Sequence, residues 1–240
     1  IIINIIQNSR IIHNPTYKIQ NPPIINSQIK YLLVISGPTA VGKTIKAIEL
    51  AKHFHTEIIS ADSRQFYAEM NIGTAKPNDE ELKQVKHHFI GHLSIHQSYS
   101  AGDFERDALK KLDELFQEHN LVIMVGGSGL YLKAICEGLD DMPRADEKLR
   151  NKLIHLFEKN GIEPLQKMLL ELDPEKFETI DIKNTQRIMR SIEIASQGNK
   201  TVTPTAKAER NFEILKIGLN IPREELYDKI NKRVDEMMEN

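Results

Sequence analysis

Residues Gly37-Pro38-Thr39-Ala40-Val41-Gly42-Lys43-Thr44 follow the pattern G-x-x-x-x-G-K-[ST] of a phosphate-binding loop. The flanks supply the context that pattern needs. Tyr31-Leu32-Leu33-Val34-Ile35 is a short apolar run rich in strand formers, and Ile45 to Ala51 has helical spacing. Glycines at the two ends of the loop let backbone N–H groups turn inward around phosphate oxygens, and the following helix adds partial positive charge at its N-terminus. A diphosphate would be held by Gly37, Thr39, Ala40, Val41, Gly42, Lys43 and Thr44. Lys43 reaches the terminal phosphates and Thr44 is the expected Mg²⁺ ligand. The competing reading, a glycine turn that binds nothing, does not explain the strand before the loop and the helix after it.

The rest of the chain alternates in the same way. A second strand is expected at 57–60, a third near 89–93 and a fourth at 121–125. Ser100-Ala101-Gly102-Asp103 reads as a capping box, S-x-x-D, ahead of an apolar helical face of Phe104, Ala108, Leu112, Leu115 and Phe116. The continuous apolar run Leu121–Val125 suits a strand buried on both faces. This predicts an α/β fold: a P-loop parallel sheet flanked by helices, with an inserted all-helical lobe. From Asp146 to about Gly198 the pattern is helical, broken at Gly161, at Asp173-Pro174 and near Lys183-Asn184. Strand character returns at 212–219, and Pro222 opens a further helix.

The expected division is therefore a catalytic core at 30–142 plus 206–240 and a helical insertion at 143–205, with joints near Asp141–Arg144 and Thr203–Lys207. Residues 1–29, rich in Ile, Asn and Pro and without an acidic residue, read as a leader without stable structure, with a transit peptide and a packed extra strand as the alternatives. The last helix carries no stop signal before Asn240, which suggests that more chain follows.

Composition narrows the classes. A net charge of −2 gives no global basic field, so any nucleic acid would have to meet a local patch. Between Lys183 and Arg210 there are six basic residues (Lys183, Arg187, Arg190, Lys200, Lys207, Arg210) against two acids (Glu193, Glu209). One cysteine, Cys136, allows no internal disulfide, suits a reducing, cytoplasmic setting and falls in an apolar helical stretch. No apolar run approaches a membrane span. His87, His88, His92 and His96 could suggest a metal. Gly91 and the strand-like setting break up a helical ligand face, however, and no cysteine accompanies them. His88 is expected to pack or bond near the crevice.

Asp62 follows the second strand, so it lies at the carboxyl end of a parallel sheet beside the phosphate loop. The strand at 121–125, by contrast, runs straight into Gly126-Gly127-Ser128-Gly129 and lacks the Mg²⁺-holding Asp of an ordinary ATPase. An acid displaced to another strand suggests a general base in a reaction other than ATP hydrolysis.

These pieces resemble the tRNA dimethylallyltransferases, also called tRNA isopentenyltransferases. The matching motifs are Gly37–Thr44, Ser60-Ala61-Asp62-Ser63-Arg64-Gln65-Phe66-Tyr67, Met70–Pro77, His87-His88, Tyr99–Phe104, Val125–Tyr131, Ala145-Asp146 with Arg150, Gln186-Arg187 with Arg190, and Arg233-Val234-Asp235 with Met237. They run in order over about residues 31–240. Ser128 stands where the family often has Thr, and the hydroxyl is retained. Family members continue through further helices that complete the core and grip the tRNA.

The resemblance implies transfer of a five-carbon allyl group from dimethylallyl diphosphate to the exocyclic amine of the tRNA adenosine just 3′ of the anticodon, with Mg²⁺ as cofactor. It implies catalytic roles for Asp62, Lys43 and Arg233. It implies tRNA contacts from Asp62, Ser63, Arg64 and Gln65, from Ser128 and Arg150, and from Gln186, Arg187, Ile188, Met189 and Arg190. Gln65 would pair with the target adenine. A monomer acting on an anticodon stem-loop, away from membranes, is the expected working form. A small-molecule or nucleotide kinase, an enzyme that prenylates free adenine nucleotides, and a non-catalytic nucleotide-binding module remain as alternatives on sequence alone.

Overall fold

The computed structural model describes residues 2–6, 29–140, 143, 146–198 and 208–239. Contacts divide the chain into two compact units, 1–138 with 208–240 and 139–207, so the helical unit begins at Leu139 and ends at Lys207 rather than at 143 and 205. The expected joints lie outside the described residues, Pro143 apart.

The first unit is built on a six-stranded sheet. Its strands are β1 (Ile2–Ile6), β2 (Tyr31–Ser36), β3 (Ile58–Ser60), β4 (His87–His88), β5 (Leu121–Val125) and β6 (Glu213–Asn220), in the order β1-β6-β2-β5-β3-β4. The five strands from β6 to β4 are parallel. β1 pairs antiparallel along the free edge of β6, Ile2 opposite Asn220 and Ile6 opposite Lys216. That corrects the unstructured-leader expectation for residues 2–6: an open strand edge offers unpaired N–H and C=O groups, and an Ile-rich segment fits it. Residues 7–28 lie outside the described residues.

Side-chain alternation sorts the core into two layers. Leu33, Ile35, Leu121, Ile123 and Val125 face α1 (Lys43–Phe54), packing on Ala47, Ile48, Leu50 and Ala51. Leu32, Val34, Val122 and Met124 face the other way, onto Phe104, Ala108, Leu112 and Phe116 of α3 (Ala101–Glu118). A strand buried on both faces must be apolar at every position, which is why β5 reads as an unbroken run. Each fully buried Leu or Phe here removes apolar area worth roughly 1.5–3 kcal/mol. The capping box forms: Ser100 Oγ accepts from Asp103 N at 3.2 Å and Asp103 Oδ2 accepts from Ser100 N at 2.9 Å. The short α2 (Asp79–Gln84) has a box of its own, on Asn78 and Glu81.

The strand expected near 89–93 is β4, His87–His88, and so lies earlier. Phe89 and Gly91 have φ of 64° and 58°, so the backbone turns left-handed and leaves the sheet at that point. α4 (Gly129–Glu137) follows β5.

The second unit is all helix: α5 (Glu147–Asn160), α6 (Glu163–Leu172), α7 (Pro174–Thr179) and α8 (Thr185–Ser196). Leu153, Leu165, Leu169, Ile188, Met189 and Ile192 form its own core. Its breaks fall where the local chemistry sets them: Gly161 at φ 77°, Asp173 capping ahead of Pro174, and Asn184 accepting from Arg187 N at 3.2 Å. α9 (Arg223–Glu239) closes the first unit. Among the described residues no helix is long and apolar enough to cross a membrane.

Candidate active site and RNA-facing residues

Three parallel strands, β2, β5 and β3, are neighbours in the sheet, and their carboxyl ends bring three segments together. β2 runs into the phosphate loop, β5 into Gly126-Gly127-Ser128, and β3 into Ala61-Asp62-Ser63. Two close approaches demand glycine. A Cβ on Gly37 would meet the Leu219 carbonyl oxygen at 2.5 Å, and one on Gly126 would meet the Ala61 carbonyl oxygen at 2.2 Å. The turn after β5 is thus pressed against the residue preceding Asp62. Gly42 at φ 93° delivers the chain into α1, whose first residues are Lys43 and Thr44.

Lys43, Thr44, Ser60, Asp62, Gln65 and His87 line one pocket of about 40 Å³, with Pro77, Ile90, Val125 and the two glycines of the turn. Lys43 Nζ donates to the loop's own carbonyls, Gly37 O at 3.0 Å and Pro38 O at 2.7 Å. Burial lowers its pKa from the ordinary ammonium value, Arg233 lowers it further, and Asp62 opposes both. Those three charges therefore share one electrostatic neighbourhood. Arg233, on α9, donates from Nη1 to Thr39 Oγ1 at 3.2 Å. Its Nε is buried and has no protein partner among the described residues. A donor left in that state beside a phosphate loop is what an anion would satisfy. Val41 is buried in the core under α1, so within the loop it can offer only its backbone, and Ala40 takes φ 61°.

Thr44 and Asp62 provide hydroxyl and carboxylate oxygen in this pocket. Mg²⁺ takes such hard donors, a few from the protein and the rest from phosphate and water, so the donor set fits it. Among the described residues no group of three or more His, Cys, Asp or Glu could hold a metal by itself.

Asp62 is half-buried, and its Oδ1 accepts from Arg64 N at 2.9 Å. Ser63 N donates to Ser128 Oγ at 3.1 Å, and Ser128 Oγ donates to Ser63 Oγ at 3.3 Å. The turn after β5 thereby holds the residue next to Asp62. Arg64 is exposed.

Gln65 Oε1 accepts from Ser60 Oγ at 3.0 Å, and its Nε2 donates to Thr74 O at 3.2 Å and Ala75 O at 2.9 Å. In this structure the amide is engaged within the protein, so Gln65 ties the end of β3 to the 74–75 turn beside Asp62.

His88 Nε2 bonds Glu57 Oε2 at 2.5 Å, and His88 is not among the residues that line the pocket. His87 is the histidine at the site, and sequence reading missed it. Its Nδ1 bonds the Val85 carbonyl at 2.8 Å, and because a carbonyl only accepts, the ring proton sits on Nδ1. Nε2 is then a lone-pair acceptor, buried and without a protein partner among the described residues. Burial holds its pKa below the usual imidazole value. The signal was present in the alternation of a strand: if one histidine of the pair faces Glu57, the other faces the opposite side.

In the helical unit Glu193 is fully buried. Arg150 forms an ion pair with it through Nε and donates from Nη2 to Oε2 at 3.1 Å. Arg190 Nη1 lies 3.2 Å from the same Oε2, and Arg190 Nη2 donates to Pro143 O at 2.7 Å. Arg150 and Arg190 thus serve first to neutralise a buried carboxylate, which could not otherwise be accommodated. Ile188 and Met189 are 0% and 1% exposed and their side chains pack in the unit's core. Arg210 leaves the basic patch: it pairs with Glu105 at 2.7 Å and donates to the carbonyls of Ala134 and Ile135 in the first unit. Lys200 and Lys207 lie outside the described residues. What stays exposed is Lys183, Gln186 and Arg187.

The sequence profile of the IPP transferase family matches residues 65–240. The tRNA dimethylallyltransferase of Christiangramia forsetii is 54% identical over 213 residues, covering 88% of this chain and 70% of that protein. The tRNA dimethylallyltransferase 1 of Bacteroides thetaiotaomicron is 47% identical over 211 residues, 87% of this chain and 68% of that protein. Among solved structures, the tRNA isopentenylpyrophosphate transferase of Bacillus halodurans is 38% identical with a TM-score of 0.57, covering 88% of this chain and 66% of that one. A eukaryotic dimethylallyltransferase acting on tRNA is 27% identical with a TM-score of 0.68, over 88% of this chain and 53% of that one.

Proposed function

The chain belongs to the IPP transferase family, and from that premise we propose that it transfers a dimethylallyl group from dimethylallyl diphosphate to a tRNA. The acceptor is the exocyclic amine of the adenosine 3′-adjacent to the anticodon, and the product is N6-isopentenyladenosine. A bond forms between the amine nitrogen and C1 of the allyl group, the C1–O bond breaks, and pyrophosphate leaves with the electron pair. Asp62 takes the proton that the amine must lose. An adenine amine is a weak nucleophile, and a positioned carboxylate contributes roughly 10²–10⁴-fold in such a step.

The leaving group carries growing negative charge, so donors aimed at it lower the barrier. Lys43, the loop N–H groups and Arg233 fill that role. A Mg²⁺ ion held by Thr44 would add charge neutralisation at the departing diphosphate. The target base must leave its stack to reach the pocket. Ser63 and Arg64, next to Asp62 in the chain, and Ser128, bonded to Ser63, are assigned contacts to the RNA, and in the helical unit Arg187 and Lys183 provide contacts to RNA phosphates. The working form in this reading is a monomer acting on tRNA in the cytoplasm.

The observation that carries this reading is that Asp62 and the phosphate-loop Lys43 line a common pocket, while β5 ends in glycines instead of an acid. It is tested by incubating the protein with labelled dimethylallyl diphosphate and an anticodon stem-loop RNA. Label should appear on the adenosine next to the anticodon. Transfer to free adenine nucleotides and not to RNA, or phosphoryl transfer from ATP, would replace the reading.

A further inference from the structure

The helical unit carries a groove that runs from Gln186, one of the expected RNA contacts, across to α5. Its cavity of about 520 Å³ is lined by Ile154, Phe157 and Glu158 of α5 and by Asn184, Thr185, Gln186 and Met189 at the start of α8. Ile154, Phe157 and Glu158 are spaced i, i+3, i+4, so they share one face of α5. Ile154 and Phe157 are 36% and 37% exposed, although the adjacent Leu153 is buried in the core. An aromatic and a branched aliphatic side chain left open beside an uncharged amide rim call for an occupant.

The rim has a defined polarity. Arg150 Nη1 donates to Gln186 Oε1 at 3.2 Å, and arginine has no acceptor, so the Gln186 amide can only turn its NH₂ outward. Asn184 Oδ1 is likewise used, accepting from Arg187 N at 3.2 Å, which leaves its NH₂ as a donor. Glu158, exposed on the opposite wall, supplies an acceptor. Donors on one side, a carboxylate on the other and an apolar floor describe a planar heterocycle that has both ring or carbonyl acceptors and N–H donors. A phosphate would suit the donors but not Glu158 or Phe157.

We propose that this groove seats one unstacked base of the bound RNA, with Phe157 as the stacking surface and Gln186, Asn184 and Glu158 at its edge. The inference rests on the functional reading above, because it takes RNA as the partner. It adds a contact that is not electrostatic to the phosphate contacts of Arg187 and Lys183.

The protein contains no tryptophan, so Phe157→Trp creates a reporter at the seat itself. Titrating that variant with an anticodon stem-loop RNA should change its emission saturably, because a base stacks on the indole. Phe157→Ala should weaken stem-loop binding by about 10-fold or more and leave the slope of affinity against salt unchanged, since no phosphate contact is lost. Arg187→Ala should instead lower that slope. Dimethylallyl diphosphate binding should be equal in all three. Stem-loop binding undiminished in Phe157→Ala, or full RNA binding by Phe157→Trp with no change in its emission, overturns the base seat alone. A wild-type protein that binds no RNA overturns the functional reading and this inference with it. Should Phe157→Ala fail to fold, the tryptophan variant decides.

Discussion

Arg233 donates from Nη1 to Thr39 Oγ1 at 3.2 Å, so a residue of the last helix closes over a phosphate loop met 194 positions earlier in the chain. The contact leaves Arg233 Nε buried and unspent. Arg233→Ala should therefore lower turnover by about 10²–10³-fold, the usual cost of removing a donor aimed at developing charge. RNA affinity should barely move. Steady-state kinetics at saturating RNA, with RNA binding measured separately, check this. Normal turnover with lost RNA binding would contradict the assignment.

Gln65 makes three hydrogen bonds within the protein, to Ser60, Thr74 and Ala75. Gln65→Leu leaves a hydroxyl and two carbonyls without partners beside Asp62. The expected loss of stability is about 1–3 kcal/mol, with a fall in turnover because the turn beside the site loosens. Urea unfolding and the transfer assay read the two effects. Unchanged stability would return Gln65 to a base-reading role.

Much of this architecture is legible in the amino-acid order, and the failures have physical causes. The phosphate loop, β2, β5 and the apolar face of α3 follow from local pattern, because strand and helix periods survive burial. β4 does not, because it is two residues long and the left-handed turn at Phe89 ends it. Gln65 and Arg150 look like surface polar residues in sequence. Their partners, Thr74 and Ala75 for one and Glu193 for the other, lie where only the folded chain brings them. Arg190 and Glu193, three apart on a helix, could have been paired from spacing.

Arg187 and Arg190 should behave differently, although both belong to one basic run. Arg187→Ala should reduce the salt slope of tRNA binding by roughly 0.7–0.9 with no loss of stability. Arg190→Ala strips one of two arginine partners from the buried Glu193, leaving Arg150, and should destabilise the helical unit by about 1–3 kcal/mol. Calorimetric unfolding and salt-dependent RNA binding separate them. Equal salt slopes and equal stabilities would contradict the pairing.

Burial lowers the His87 pKa, chiefly by desolvation, and the same holds for His92. The unfolded chain then takes up protons more readily than the folded one as pH falls below the ordinary imidazole value of about 6.5. Stability should decline across that window and level off below the lowered folded values. Glu57 acts lower down. Burial disfavours its charge, but His88 and Lys86 outweigh this and depress its pKa, so its contribution is lost as pH falls through that depressed value. Urea midpoints at pH 7.5 and 5.5 test the upper window. His87→Asn should flatten the difference, and an equal slope in wild type and variant would contradict the assignment.

The central claim is that Asp62 removes the proton from the acceptor amine. Asp62→Asn preserves the shape and can keep the acceptor bond to Arg64 N, while removing the base. Single-turnover transfer of dimethylallyl to an anticodon stem-loop, with both substrates saturating, should fall by about 10²–10⁴-fold while dimethylallyl diphosphate binding stays near wild type. Transfer by Asp62→Asn at close to the wild-type rate would contradict the account.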